Sequence, residues 1–292
     1  MKISCITSVY GERGKIRDIE SIIQAAARIG LDAIELFAEK NLGDRIRHAG
    51  LNTTDEEIEK TRKLADQYQL HISSICAHFS LIQDDKKERE LSLREYKKCI
   101  DQAVVLGTDF VHGFSGIPEP QMAHDENFLW RVFCEGACEI LDYAGSRNIQ
   151  FGMEPVIHHL VHSLGTLDQM FERMKRDDLF INYDPVHLYL SGAQGDPVAT
   201  IRKYGHKIKH VHVHDGHGPG SFHWDQFVQT LKQEWNNFDP PGMGELNWGA
   251  ILVELKKAGF DGYLSLEHIG DGYTPIDYIV WNYRNMMQNL SQ

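Results

Sequence analysis

The stretch Ile208-Lys-His-Val-His-Val-His-Asp215 sets three histidines at alternate positions and closes on an aspartate. A β-strand sends alternate side chains to opposite faces. His210, His212 and His214 therefore share one face, and Val211 and Val213 share the other. Histidine is only intermediate in its tendency to be buried. Three imidazoles on an inner face suit a site that holds a cation or moves a proton. Other short apolar runs end on similar chemistry. His78, Glu154, Asp184 and Glu267 each close such a run, and His112 sits inside one.

The elements that would carry these residues alternate along the chain. Strands are predicted over 2–8, 33–37, 71–78, 110–114, 150–154, 179–184, 208–215 and 262–268. Amphipathic segments over 16–29, 54–68, 86–106, 127–146, 166–175, 197–204, 248–258 and 276–289 have helical spacing. Thr54 with Glu57 reads as a capping box, and Thr166 reads as the cap of its helix. Strands alternating with helices imply parallel pairing. Eight such units imply a (β/α)8 TIM barrel, expected as one domain over 1–292. No G-x-G-x-x-G follows the first strand, which disfavours an open dinucleotide-binding sheet. An insertion over 216–247 follows strand seven and has room for an extra helix over 222–235.

In such barrels the active site lies at the C-terminal strand ends. Parity puts Glu154 on the face of Gly152, Asp184 on that of Asn182 and Glu267 on that of Ser265. Two glutamates, one aspartate and one histidine at one mouth form an oxygen-rich site. It suits one divalent ion, Mn²⁺ first, with Mg²⁺, Co²⁺ or Zn²⁺ as alternatives.

Composition narrows the partners. The net charge is −12, from 30 Lys plus Arg against 42 Asp plus Glu. That balance disfavours nucleic acid, whose phosphates are gripped by lysine and arginine. No run of about 20 apolar residues suggests a membrane span. Five cysteines without a C-x-x-C suggest reduced thiols, and no signal peptide is recognised, so a cytoplasmic location is expected.

Five motifs taken together resemble the xylose-isomerase-like barrel superfamily of sugar isomerases and epimerases. They are Phe151-Gly-Met-Glu154-Pro, Tyr183-Asp184-Pro-Val-His187, His210-Val-His212-Val-His-Asp215, Pro241-Gly-Met-Gly-Glu-Leu-Asn-Trp248 and Gly259-Phe-Asp-Gly-Tyr-Leu-Ser-Leu-Glu267-His. The resemblance covers nearly the whole chain. It implies that Glu154, Asp184, His212 and Glu267 hold the metal, and that Glu154 and Glu267 exchange protons α to a carbonyl through an enediolate. It also implies that His187 contacts substrate. With His187, the residues His78, His112, His158 and His214 complete the expected substrate-binding set. The expected partner is a sugar or keto-sugar, with room for a homo-oligomer.

The sequence also departs from that pattern. Ketohexose 3-epimerases carry an arginine shortly after the histidine strand, where this chain reads Gly216-His-Gly-Pro-Gly. Their substrate-binding glutamate, six past the first metal ligand, is Leu160 here, within the loop His158-His159-Leu-Val-His162. The main expectation is therefore a metal-dependent isomerase or epimerase. The alternative is a lyase or dehydratase acting on a 3-keto-glycoside or an inosose-like cyclic ketone. An apurinic-site endonuclease and a non-enzymatic sugar binder stand further off. Around the mouth, Phe114, Trp224 and Trp248 are candidates for stacking on a sugar, Asp215 for orienting a ligating imidazole, and Gly242 and Gly244 for a tight turn. His268 should point outward by parity.

Overall fold

The computed structural model describes residues 1–13, 18–39, 47–118, 125–192, 196–218, 237–267 and 276–291. The expected helix over 222–235, with Trp224, and His268 lie outside them. Strands β1 (Lys2–Cys5), β2 (Ala33–Glu39), β3 (His71–His78), β4 (Phe110–Phe114), β5 (Gln150–Glu154), β6 (Leu179–Tyr183) and β7 (Ile208–Val213) follow in turn. Two short strands, β8 (Asp215–Gly216) and β9 (Phe238–Asp239), pair antiparallel within the insertion. Strand β10 (Tyr263–Leu266) is the last.

The large sheet runs β1-β10-β7-β6-β5-β4-β3-β2, and every pair in it is parallel. An isolated bridge between Ile6 and Glu35 spans the seam between β1 and β2. The sheet is therefore a nearly closed barrel, the (β/α)8 fold read from the sequence. No described helix is long and apolar enough to cross a membrane.

Helices α1 (Thr7–Arg13), α2 (Ile19–Ile29), α3 (Asp55–Gln67), α4 (Lys86–Leu106), α5 (Glu126–Ser146), α6 (Leu164–Met174), α7 (Pro185–Leu190), α8 (Pro197–Tyr204), α9 (Trp248–Lys257) and α10 (Ile276–Ser291) connect the strands. Local chemistry sets several of their ends. The Thr54–Glu57 capping box opens α3 as expected. Gly30 closes α2 at φ 82°, a left-handed turn that glycine makes without a Cβ penalty. Apolar spacing buries Ile22, Ile23, Ala25 and Ala26 along α2.

Three expectations change. The first strand ends at Cys5, and α1 starts at Thr7, whose hydroxyl accepts the Phe37 N–H at 3.1 Å. Ser163, not Thr166, caps α6. Thr166 is the third helical residue, and its hydroxyl accepts the Ser163 N–H at 2.8 Å. An extra short helix, α7, begins immediately after Asp184 because that carboxylate accepts the Val186 and His187 N–H groups at 2.8 and 3.0 Å.

Branched aliphatic layers usually fill such barrels. This interior is polar instead. Ser4, Glu35, Ser74, His112, Asn182, His210, His212 and Ser265 are all buried. A register shift between β2 and β3 pairs Glu35 with Ser74 and leaves Ser73 as the extra residue. Both serines then reach His210, each at 3.4 Å from its Nε2. Phe110 fills the space below, stacked on His112 at 5.9 Å and on His210 at 6.1 Å. Gly152 leaves room for it, since a Cβ there would clash with the edge of the Phe110 ring.

On the outer face of β4, Gly113 lies under Tyr96, whose hydroxyl donates to the Phe79 carbonyl at 2.7 Å. A Cβ on Gly113 would press on that phenol and sit 2.6 Å from the Ala77 carbonyl oxygen. Gly113→Ala should therefore destabilise the barrel by about 1–3 kcal/mol through overpacking. A urea midpoint equal to that of the wild type would refute this.

Candidate active site

Parallel strands bring their C-terminal ends to one rim, and the site forms there. Ligand atoms of Glu154, Asp184, His212 and Glu267 all lie within 4.8 Å of one another, and all four residues are buried. Glu154 ends β5, Asp184 follows β6, His212 lies in β7 and Glu267 follows β10. These are the four residues that the resemblance implied as ligands. His212 Nδ1 lies 2.6 Å from Glu267 Oε2 and 3.3 Å from Glu154 Oε1. Asn182 donates from Nδ2 to Glu154 Oε2 at 3.0 Å and accepts from His210 Nδ1 at 2.8 Å. His210 thus supports Glu154 from below through Asn182.

Burial disfavours an ionised carboxylate, but the imidazoles of His212 and His78 outweigh it and hold Glu154 well below its ordinary pKa. Burial likewise opposes Asp184, and the charges of His214 and His187 win, lowering its pKa. Burial also opposes protonation of His212. Glu267, Glu154 and Glu35 reverse that and lift its pKa well above the usual value. Among the described residues, every cationic partner of Glu154, Asp184 and Glu267 is an imidazole. Three carboxylates crowded together with so little countercharge fit a divalent cation. Three oxygen donors and one nitrogen suit the hard to borderline ions.

The expected substrate histidines divide by depth. His78 is partly exposed, 3.3 Å from Glu154 Oε2, with its ring 4.7 Å from that of Phe114. His187 lies 3.9 Å from Asp184 and 4.0 Å from Glu154. His158 adopts φ 72°, and burial followed by the charges of His187 and His162 brings its pKa down to about 3. These three lie near the mouth.

The other two are placed differently from the sequence reading. His112 lies lower in the barrel, and its Nε2 donates to Glu35 at 2.6 Å. His214 is fully buried, 2.7 Å from Asp184 Oδ2, with Phe238 stacked on it at 5.0 Å. Both are engaged with carboxylates and have no exposed surface. Trp248 is buried as well and donates its indole N–H to the His214 carbonyl at 3.1 Å, so it does not face a sugar.

Asp215 also departs from expectation. It accepts backbone N–H groups of Gly216, Leu246 and Gly242 at 2.9, 3.1 and 3.0 Å, and so pins the loop after β9 rather than an imidazole. The expected tight turn is present there, with Gly242 at φ 79°.

One buried residue escaped the sequence reading, and a second, His159, was quoted there only as part of its loop. Glu35 is fully buried in mid-strand, between the aliphatic Ile34 and Leu36. An acid flanked by apolar residues inside a strand was the available signal, but attention to strand ends passes over it. His159 is nearly buried. It accepts the Gly116 N–H at 3.2 Å, and its ring lies 4.4 Å from that of Phe114. Burial, then His187 and His78, holds its pKa well below the usual value.

The sequence profile of the xylose isomerase-like TIM barrel family matches residues 23–287, and the chain belongs to that family. Among curated proteins it is similar to inosose dehydratase of Lacticaseibacillus casei. The two are 23% identical over 208 residues, covering 68% of this chain and 69% of that protein. Among solved structures it is similar to the IOLI protein with a bound zinc atom, at TM-score 0.78 and 15% identity over 100% of this chain and 98% of that one. It is also similar to D-psicose 3-epimerase, at TM-score 0.77 and 17% identity over 100% and 99% of the two chains. The structural likenesses establish a shared fold. The curated relative is named for a dehydratase activity, which supports an enzyme over a binding protein.

Proposed function

We propose that this chain is a divalent-metal-dependent lyase that removes water from a polyhydroxylated cyclic ketone of the inosose type. Glu154, Asp184, His212 and Glu267 are the proposed ligands, with Glu154 and Glu267 also the proton-transfer pair. A cation held by them would polarise the substrate carbonyl and acidify the neighbouring C–H. One glutamate takes the α-proton, and the C–H electron pair becomes the new C=C bond. The β C–O bond breaks, and the hydroxide leaves as water with a proton returned by a glutamate.

The observation that carries the lyase reading over ketohexose epimerisation is the loop after β5. Where the 3-epimerases would have a substrate-binding glutamate, Leu160 is buried, and the loop sets His158 and His159 near His187 instead. Burial lowers the pKa of all three, so they are neutral near pH 7. A neutral imidazole offers one donor and one acceptor, as a hydroxyl group does. The Nδ1 atom of His187 is buried with no hydrogen-bond partner among the described residues, which leaves it available to such a hydroxyl. The similarity to inosose dehydratase supports the same reading.

Isomerase or epimerase action remains the second reading, because the same deprotonation serves both outcomes and the fold is shared with D-psicose 3-epimerase. A panel of cyclitol ketones, 3-keto-glycosides and ketohexoses in D₂O, followed by NMR, separates the two. The lyase reading expects loss of water or of an aglycone. Deuterium uptake into recovered sugar without elimination from any substrate would overturn it in favour of the isomerase.

A further inference from the structure

Glu35 is a fully buried carboxylate in the barrel interior, well below the mouth. Burying an ionised carboxylate costs several kcal/mol unless it is well paired. Its pairing is specific. Oε2 accepts the Ser265 hydroxyl at 2.5 Å. Oε1 accepts the His112 Nε2–H at 2.6 Å and lies 3.2 Å from His212 Nε2. His210 Nε2 stands 3.7 Å from Oε2. The partners come from β4, β7 and β10, so one carboxylate ties three strands to β2.

An ionised carboxylate only accepts hydrogen bonds. A proton on His212 therefore belongs on Nε2, facing Glu35. Nδ1 also faces carboxylates, Glu267 and Glu154 at 2.6 and 3.3 Å, and so carries a second proton here; a cation bound among them would take the place of that proton and leave the one on Nε2. Which ring nitrogen of a ligating histidine faces the ion is set by the hydrogen bond that the other nitrogen makes. We infer that Glu35 is a positioning residue that, with His112 and Ser265 holding its two oxygens, fixes the ring and tautomer of His212 so that Nδ1 serves the metal site. The inference rests on the metal site proposed above. His112 thereby takes a role different from substrate contact. Its ring, stacked 5.6 Å from that of His210, supports the carboxylate from within the barrel.

Ser265 aligns with Ser4 in β1 and with His212 in β7, and Glu35 bridges to Ile6, so Glu35 also lies at the barrel seam. A purely structural role would affect stability and leave the metal-binding geometry alone. Two measurements separate the roles. In the first, metal-free wild type and Glu35→Gln are titrated calorimetrically with Mn²⁺ and Zn²⁺. The amide presents an uncharged carbonyl or an N–H to His212, and affinity should fall roughly 10- to 100-fold, the usual effect of losing such a partner. Ser4→Ala, on the β1 side of the seam and hydrogen-bonded to Ser73 rather than to Glu35, serves as the seam control and should weaken affinity far less.

In the second measurement, long-range ¹H–¹⁵N NMR on histidine-labelled, Zn²⁺-loaded wild type should show His212 protonated at Nε2. Equal affinities in wild type and Glu35→Gln, or a proton at Nδ1 of His212, would overturn the inference. The NMR result decides the matter even if Glu35→Gln does not fold. Wild type that takes up neither ion would instead remove the metal reading, and this inference with it.

Discussion

Glu154→Gln and Glu267→Gln should each lower turnover by at least about 10²–10⁴-fold, the range that positioned acid–base groups contribute. Neither change alters side-chain volume. The amide oxygen at position 154 can still accept the Asn182 N–H that reaches Glu154 at 3.0 Å. Each substitution also removes one negative charge from a cluster of buried carboxylates. Relief of like-charge crowding offsets part of the lost imidazole pairing. The fold should therefore survive, with an unchanged circular dichroism spectrum and a cooperative melt. Loss of α-proton exchange in D₂O along with loss of product would locate the defect at proton abstraction. Either variant turning over at a wild-type rate would remove that residue from the proton-transfer pair.

The two glutamates are not equivalent, and the difference is structural. Glu154 is held from below by Asn182 and flanked by His78 at 3.3 Å and His212 at 3.3 Å. Glu267 follows the last barrel strand and meets His212 Nδ1 at 2.6 Å. Comparing metal content of the two variants then shows how far each side chain serves as ligand as well as base.

The rim was legible in the sequence because parity and strand order are both written there. Alternation put His212 and not Val213 on the inner face, and the short apolar runs marked where Glu154, Asp184 and Glu267 would converge. What escaped has a physical cause in each case. Glu35 lies mid-strand, and its meaning comes from His112, Ser265 and His212, which are far away in sequence. The extra residue at Ser73 changes the register between β2 and β3, and no local pattern announces that shift. Asp215 looked like a partner for a neighbouring imidazole. Loop closure claimed it instead, because its oxygens satisfy three backbone N–H groups at once. Ser163 and Thr166 both carry hydroxyls three residues apart. Choosing the cap between them required knowing where the loop ends.

Removing the metal should abolish activity and lower thermal stability together. Glu154, Asp184 and Glu267 present ligand atoms within 4.8 Å of His212 and of one another, in a buried site where Coulomb repulsion is weakly screened. An ion that binds only the folded state stabilises it by about 2.7 kcal/mol at a free concentration 100 times its dissociation constant. For a chain of this size roughly 1 kcal/mol moves the melting point by a few degrees. Chelation followed by dialysis should therefore lower the midpoint by several degrees and reduce turnover to background. Adding Mn²⁺ should restore both, at a stoichiometry of about one ion per chain, as expected for one set of four ligands. Co²⁺ and Zn²⁺ substitution tests whether the single imidazole among three carboxylates biases the choice of ion. Full activity after exhaustive chelation would remove the metal from the mechanism. Three tightly held zinc ions per chain would instead draw in His78, His112 and His187 as ligands and favour the nuclease alternative. The Tm and the rate should return at the same metal concentration, because one site is proposed to govern both.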